Sequence, residues 1–220
     1  ASLDGIWLYR LEVLGIYIFL LLFLYYLKTR RFRNLVVCFS CLLCLGIYHT
    51  VMRWYDRPCP SLVFYNVRGC PAIHCIAEDG TSWLNYADTL SDKRRLQAVA
   101  ANYWRRHQLL PPIEVTADCQ NVDFCRHQQI VFYHGCRICM VTDNRWRNKS
   151  AASPLFINYM YLCKGYNGRL EELTGLFSPS CILLDASLSD DRKQFFREEC
   201  KRLHLHFITL SEEGSVRFLL

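Results

Sequence analysis

Two long uncharged runs near the start of the chain constrain it more than any other feature. Val13–Leu27 (VLGIYIFLLLFLYYL) is free of charge, its apolar character reaches back to Ile6, and Leu35–Met52 adds 18 uncharged residues. Each run is close to the ~20 residues that cross a ~30 Å hydrocarbon core. Neither has a polar stripe, so a soluble protein would have to cover both runs all the way round. Trp7, Tyr9, Tyr25 and Tyr26 bracket the first run, and Trp54 and Tyr55 follow the second. Those are the places where amphipathic rings sit at a lipid interface. Residues 1–57 therefore read as two transmembrane helices, with membrane lipid as their first partner. Between them KTRRFR (28–33) puts four bases into six residues. That density makes the loop cytoplasmic and sends the rest of the chain to the other side, against a weaker pull from Arg53 and Arg57. The expectation is a multi-pass protein of the cell (inner) membrane with its globular part, residues 58–220, on the periplasmic or outer side.

Charge follows the same division. Of 26 Lys and Arg against 20 Asp and Glu, residues 1–57 hold seven against three, which leaves 19 against 17 for residues 58–220. A net +2 on the globular part does not by itself argue for nucleic-acid binding. The first residues, Ala1-Ser2-Leu3-Asp4, lack the basic start of a signal peptide, and a second apolar run follows at once. The sequence reads as a piece of a longer chain, with further transmembrane segments expected upstream as partners. Three of the 13 cysteines (Cys38, Cys41, Cys44) lie inside the second apolar run, where thiols behave as small hydrophobes. The other ten show no disulfide rhythm.

Past Pro58 and Pro60 the pattern changes to short strands and amphipathic helices. SLVFYNV (61–67), AIHCIA (72–77) and TSWLNYA (81–87) read as strands, the last two joined by Glu78-Asp79-Gly80. A helix capped by Asp92 runs to about Arg106, IEVTA (113–117) is a strand, and residues 128–143 form a hairpin turning at His134-Gly135. LFINYMYLC (155–163) is a strand, KGYNG (164–168) a loop, Arg169–Phe177 a short helix and CILLD (181–185) a strand buried on both faces. Ser189 caps a helix from Asp190 to about His204, with acids first and bases last as the dipole favours. LHFITL and SVRFLL close the chain as strands. Hairpins followed by βαβαβ define an α/β class with mixed sheets covered by helices.

Several constellations carry chemistry. Cys119, Cys125, Cys136 and Cys139 with His127 and His134 are zinc-ligand types, but the odd spacing of Cys136 and Cys139 in a strand puts them on opposite faces. Asp185 and Ser187 follow a buried strand, where α/β proteins place ligands and where helix caps also sit. Bases stand beside aromatics at Arg94 and Arg95, at Trp104, Arg105 and Arg106, and at Arg145, Trp146 and Arg147. Such pairs suit single-stranded DNA, with cations on phosphates and indoles stacking on bases; solvated surface accounts for them equally well.

The order of parts resembles the ComEC family, the polytopic channel that passes single-stranded DNA through the inner membrane in natural transformation. The likeness lies in membrane helices followed by LVFYNVRGCPAIHCIAEDGTSWLNYADTL and later by CILLDASLSDDRKQFFREECKRLHLHFITLSEEGSVRFL. It implies a metallo-β-lactamase-like αββα sandwich over residues 58–220, on the outer side. LNYADTL looks like that domain's second-strand element, with Asp88 as its acid, and KGYNG like the loop where active members carry His-His-Gly. Active members also need an HxHxDH loop to hold two metals that activate a water. Here no histidine lies between His74 and His107, the one HxH is His204-Leu205-His206 at a helix end, and Tyr166-Asn167 replaces the His-His pair. Asp88, Tyr166, Asn167, Asp185 and Ser187 thus mark a degenerate site with no metal and no cofactor. The function so implied is the C-terminal part of a DNA-uptake channel whose soluble domain guides DNA or stabilises the channel, with single-stranded DNA as candidate partner. Two alternatives stay open: a hydrolase or nuclease that holds metal through other ligands, and a tethered interaction module with no nucleic-acid role.

Overall fold

The computed structural model describes residues 8–86, 90–107 and 109–220. The chain forms two compact units, one made of the stretch up to Arg57 with Tyr103–Gln108 and the other of Pro58–Asn102 with Leu109–Leu220.

The first unit is an antiparallel helical hairpin, α1 (Arg10–Thr29) and α2 (Phe32–Tyr55), both long and apolar enough to cross a membrane. A left-handed Arg30 (φ 44°) ends α1, and α2 begins two residues later. The helices approach closely at Gly15, where an added Cβ would overlap the side chain of Leu45. Small residues serve this purpose in lipid, where backbone approach rather than water exclusion drives helices together. The outward apolar side chains, Leu21 and Phe39 among them, are bare.

The second unit is a mixed α/β domain with two sheets. One has five strands in the order β12-β1-β2-β3-β4: β1 (Ser61–Tyr65), β2 (Ala72–Ile76), β3 (Ser82–Tyr86), β4 (Ile113–Val115) and β12 (Val216–Leu219). The other has seven, β11-β10-β9-β8-β7-β6-β5: β5 (Cys119–Gln120), β6 (Phe124–His127), β7 (Ile130–Tyr133), β8 (Cys136–Val141), β9 (Leu155–Leu162), β10 (Phe177–Leu184) and β11 (Phe207–Thr209). The stretch from β8 to β11 is parallel and the hairpins from β5 to β8 are antiparallel. Helix α3 (Leu90–Arg106) follows β3, α4 (Leu170–Thr174) follows β9, α5 (Asp190–Arg202) follows β10, and α6 (Leu210–Glu213) is a single turn before β12.

Two cores hold these layers. Between the sheets, Leu62, Phe64, Ile73 and Trp83 meet Phe124, Val131, Tyr133, Ile138, Tyr161 and Leu183. Trp83 stacks on Phe124 at 5.6 Å, and Phe64 packs edge-on against Tyr161 at 5.3 Å. On the outer face of the seven-stranded sheet, Met160, Leu162, Ile182 and Leu184 meet Leu170 and Leu173 of α4 and Phe196 and Cys200 of α5. Cys136 packs toward the first core and Cys139 lies in the second, so the two thiols point to opposite faces.

Four elements differ from the sequence expectation, the first being the end of LHFITL, where Leu210 leaves β11 and opens α6. α3 begins at Leu90, which puts Asp92 inside its first turn rather than at the cap. The segment after α4 turns at Gly175, and Phe177 opens β10 instead of ending a helix. Pairing to β9 keeps Ser178 and Pro179 extended, although Ser-Pro-Ser alone reads as a turn. The β5–β6 hairpin was not anticipated, since its strands are short and lack apolar alternation.

Candidate functional site

The parallel strands β9 and β10 end side by side, and a cleft of about 530 Å³ opens beyond them. Lys164-Gly165-Tyr166-Asn167 leaves β9, and Ser187-Leu188-Ser189 leaves β10 to enter α5. Arg68 and Gly69 come from the β1–β2 connection, Arg95 from α3 and Arg192 from the first turn of α5. Crevices at the carboxyl ends of parallel strands are where open α/β sheets take ligands.

Each wall has a local cause. Arg68 and Gly69 are the centre of a turn closed by Cys70 N–H on the Val67 carbonyl, and Gly69 at φ 88° supplies the left-handed residue such a turn needs. The Arg95 guanidinium stands over this turn, 4.0 Å from where a Cβ on Gly69 would lie. Gly165 at φ 116° passes so close to the Thr142 carbonyl that a Cβ there would overlap it. Lys164 N–H donates to Ser187 Oγ at 3.2 Å, which ties the two strand ends together. Ser189 caps α5 by accepting from Arg192 N–H. The Arg192 guanidinium donates to the carbonyls of Tyr166 at 3.2 Å and Gly168 at 3.0 Å. It also lies over the rings of Phe196 at 4.4 Å and Phe195 at 4.9 Å.

The degenerate-site positions take different roles. Tyr166 is buried, its hydroxyl donating to the Arg169 carbonyl at 2.8 Å and its ring stacked on Phe196 at 6.2 Å; burial pushes its phenol well up. Asn167 is exposed on the cleft wall and donates its N–H to Asn144 Oδ1 at 2.8 Å. Asp185 is fully buried beneath the cleft, accepting from the Tyr161 hydroxyl and from Ser187 N–H. Burial raises its carboxyl, against hydrogen bonds from Ser187 and Tyr161 that hold it down. Asp88 lies outside the described residues. Among the described residues, no three His, Cys, Asp or Glu side chains converge as a metal site needs. Among the described residues the donors at the cleft are engaged carboxylate, amide and hydroxyl groups facing four cations, a set that does not fit a pair of divalent ions.

The basic-aromatic clusters are placed as follows. Arg94 and Arg95 are exposed on α3, and only Arg95 lines the cleft. Trp104 is half-buried, Arg105 exposed, and Arg106 pairs with Asp56 at 3.4 Å within the first unit. In the second unit Arg145 pairs with Asp143 at 2.8 Å and Arg147 with Glu172 at 3.5 Å. Trp146 donates Nε1–H to Gln129 at 2.6 Å and packs edge-on against Phe177 at 5.0 Å, with Lys149 over its ring at 5.3 Å. Much of that indole is therefore core. A second hollow of about 250 Å³, between β6 and β7, brings together no cluster of cations.

Sequence reasoning missed two groupings. Arg68, Lys164 and Arg192 are far apart in the chain, and no local spacing joins them. Glu12 of α1 is buried, accepting from Tyr9 N–H at 2.9 Å and lying 2.7 Å from His49 Nδ1 of α2. Glu12 at the edge of the first uncharged run and His49 inside the second were the available signal, because ionisable groups in apolar helices pair with one another.

Fold and site together define a mixed α/β domain, preceded by two apolar helices, whose strand ends open into a basic cleft. A family model described as the ComEC C-terminal domain matches residues 62–220. The chain belongs to the ComEC family, as its C-terminal part. No curated protein and no solved structure matches it.

Proposed function

We propose that this chain is the C-terminal part of a DNA-uptake channel of natural transformation. The last two membrane helices of a multi-pass protein lead into a degenerate metallo-β-lactamase-like domain on the outer face of the inner membrane. That domain holds or guides single-stranded DNA and does not cut it. The observation that carries the reading is the family match over residues 62–220. The cleft supports the non-catalytic part: cations face the space where metal ligands would have to stand, and the Asp185 carboxylate is turned to Tyr161 and Ser187. The four bases of the Lys28–Arg33 loop support the orientation. In two-metal hydrolases a metal-bound water is the nucleophile that attacks a phosphodiester, whereas cations such as these retain a strand by releasing its counterions.

The test uses the full chain in lipid nanodiscs with labelled single-stranded oligonucleotides and added magnesium, manganese or zinc. The expected result is binding that weakens with salt and no cleavage. Cleavage abolished by a chelator would place the chain among the metal-dependent hydrolases. Absence of binding at low salt would leave a tethered interaction module.

A further inference from the structure

We infer that the cleft at the ends of β9 and β10 grips two consecutive phosphates of a nucleic-acid strand, through Arg68, Arg95, Lys164 and Arg192, and is blind to the bases. The inference rests on the DNA-handling reading only for the carrier of those phosphates. The chemistry of the cleft comes from the cations themselves.

Residues 58–220 hold 19 bases against 17 acids, and several of the bases outside the cleft are paired with acids of the same domain. Arg145 is paired with Asp143, Arg147 with Glu172, Lys193 with Asp190, Arg197 with Glu212 and Arg202 with Glu171. The four cleft cations come from four separate segments, and among the described residues none is paired with a carboxylate. Among the described residues no carboxylate lines the cleft between these cations; like charges so gathered repel one another, so the convergence works against the fold and suits an anion.

Arg192 makes the case sharper. It stands in the first turn of α5, where the helix dipole disfavours a cation. Two carbonyls and two aromatic rings nevertheless hold its guanidinium at the cleft wall. A guanidinium fixed by neutral partners keeps its whole charge for a ligand, and its planar fork suits phosphate oxygens.

The lining also says what is not read. The one aromatic side chain there, Tyr166, is buried and stacked on Phe196, and Leu188 is buried as well. Among the described residues of the lining no exposed ring offers a platform for a base, so recognition stops at the backbone. Four cations exceed the single charge of one phosphodiester. A neighbouring hollow of about 380 Å³ shares Arg68, Leu188 and Ser189 with the cleft, giving the strand a path onward.

The test is fluorescence anisotropy of the full chain in zwitterionic nanodiscs. The probes are a labelled single-stranded oligonucleotide of about 12 residues, its abasic counterpart and inorganic tripolyphosphate as competitor, each with and without added magnesium, manganese or zinc. Both oligonucleotides should bind equally well. R68Q/R95Q/K164Q should weaken binding at least about tenfold at ~50 mM salt and flatten the log-log salt dependence by about 2, near 0.7 for each lost contact on a single strand. Lys164→Gln alone, at an exposed side chain, should flatten it by about 0.7, which keeps the result readable if the triple variant folds poorly. R68K/R95K should retain binding. If wild type and the triple variant bind alike, the inference fails while the DNA-handling function stands. If only inorganic tripolyphosphate binds and neither oligonucleotide does, the strand assignment is overturned. Metal-dependent cleavage together with cleft-dependent abasic binding would sink the non-catalytic reading and support the inference.

Discussion

Tyr161→Phe isolates one buried hydroxyl at the carboxyl end of β9, where it donates to Asp185. Tyr161 and Asp185 are both fully buried, and the phenol is one of two donors to the carboxylate, the other being Ser187 N–H. Phenylalanine keeps the ring against Phe64 and removes only the donor. A buried ionised acceptor that loses one partner costs ~1–3 kcal/mol. For a folding unit of this size each kcal/mol moves Tm by ~2–4 °C, so the variant should melt on the order of 5 °C lower near neutral pH. The pH dependence has a definite sign. Burial lifts the Asp185 carboxyl above its ordinary 3.8, so its contribution to stability is complete below about 3.8 and is lost as pH rises through the folded value. Without the Tyr161 hydroxyl the folded value rises further. The deficit of the variant is then largest at neutral pH and shrinks toward pH ~4. Titration of other groups is common to both proteins and cancels in the difference. Near-UV circular dichroism melts of the full chain in nanodiscs at several pH values give the comparison. An unchanged Tm at neutral pH, or a deficit that grows on acidification, would refute the reasoning. In an Asp185→Asn background the same substitution should cost less than about 1 kcal/mol, because no charge is left under-solvated.

His74 is buried beside the Tyr65 hydroxyl and burial lowers it to about 3, so stability should fall as pH drops from about 6.5 toward 3; His74→Asn should flatten that limb in pH-dependent melts. Gly165→Ala should destabilise by ~1–3 kcal/mol, read as a lower Tm, because φ 116° and the Thr142 carbonyl leave no room for a Cβ. Trp146→Ala should lower Tm as well, through lost packing on Phe177 and the lost bond to Gln129, so its effect on DNA binding has to be compared at matched folded fraction. Gly15→Ile should force α1 from α2 at Leu45 and weaken cross-linking between cysteines placed on the facing helices. A cysteine replacing Arg30, in a background without the exposed native thiols, should label only from the cytoplasmic side; labelling from the outer side would invert the topology.

Elements with a strong period were legible in the sequence. The helical hairpin followed from two uncharged runs, and Ser189 with Asp190 and Asp191 announced α5. The turn at His134-Gly135 was marked by its glycine, and both residues take positive φ. Where local and tertiary preferences conflict, the sequence misled. Ser178-Pro179 is drawn into β10 by pairing with Phe156 and Ile157 of β9, and β5 owes its extended form to β6. The cleft was half legible. Tyr166, Asn167, Asp185 and Ser187 were singled out by position, and the structure gathers them around the ends of β9 and β10. What makes that place basic comes from Arg68, Arg95 and Arg192 on other segments, which only the sheet order brings together.

The pairing of β12 with β1 sets the order in which this domain can be made. Ser61 lies opposite Leu219, and Leu220 N–H reaches the Pro60 carbonyl. The first strand after the helices thus waits for Val216–Leu219, on the far side of the domain's sequence, before its outer edge is closed. Loop-closure entropy makes so distant a contact slow to form. During synthesis β1 carries an open row of backbone donors and acceptors able to capture another chain. A nonsense codon or proteolytic nick anywhere after α6 would leave the helical hairpin and the cleft residues intact yet strip that edge. Loss of the last strand should therefore show first as aggregation and clearance of the nascent protein, before any defect in ligand binding is measurable.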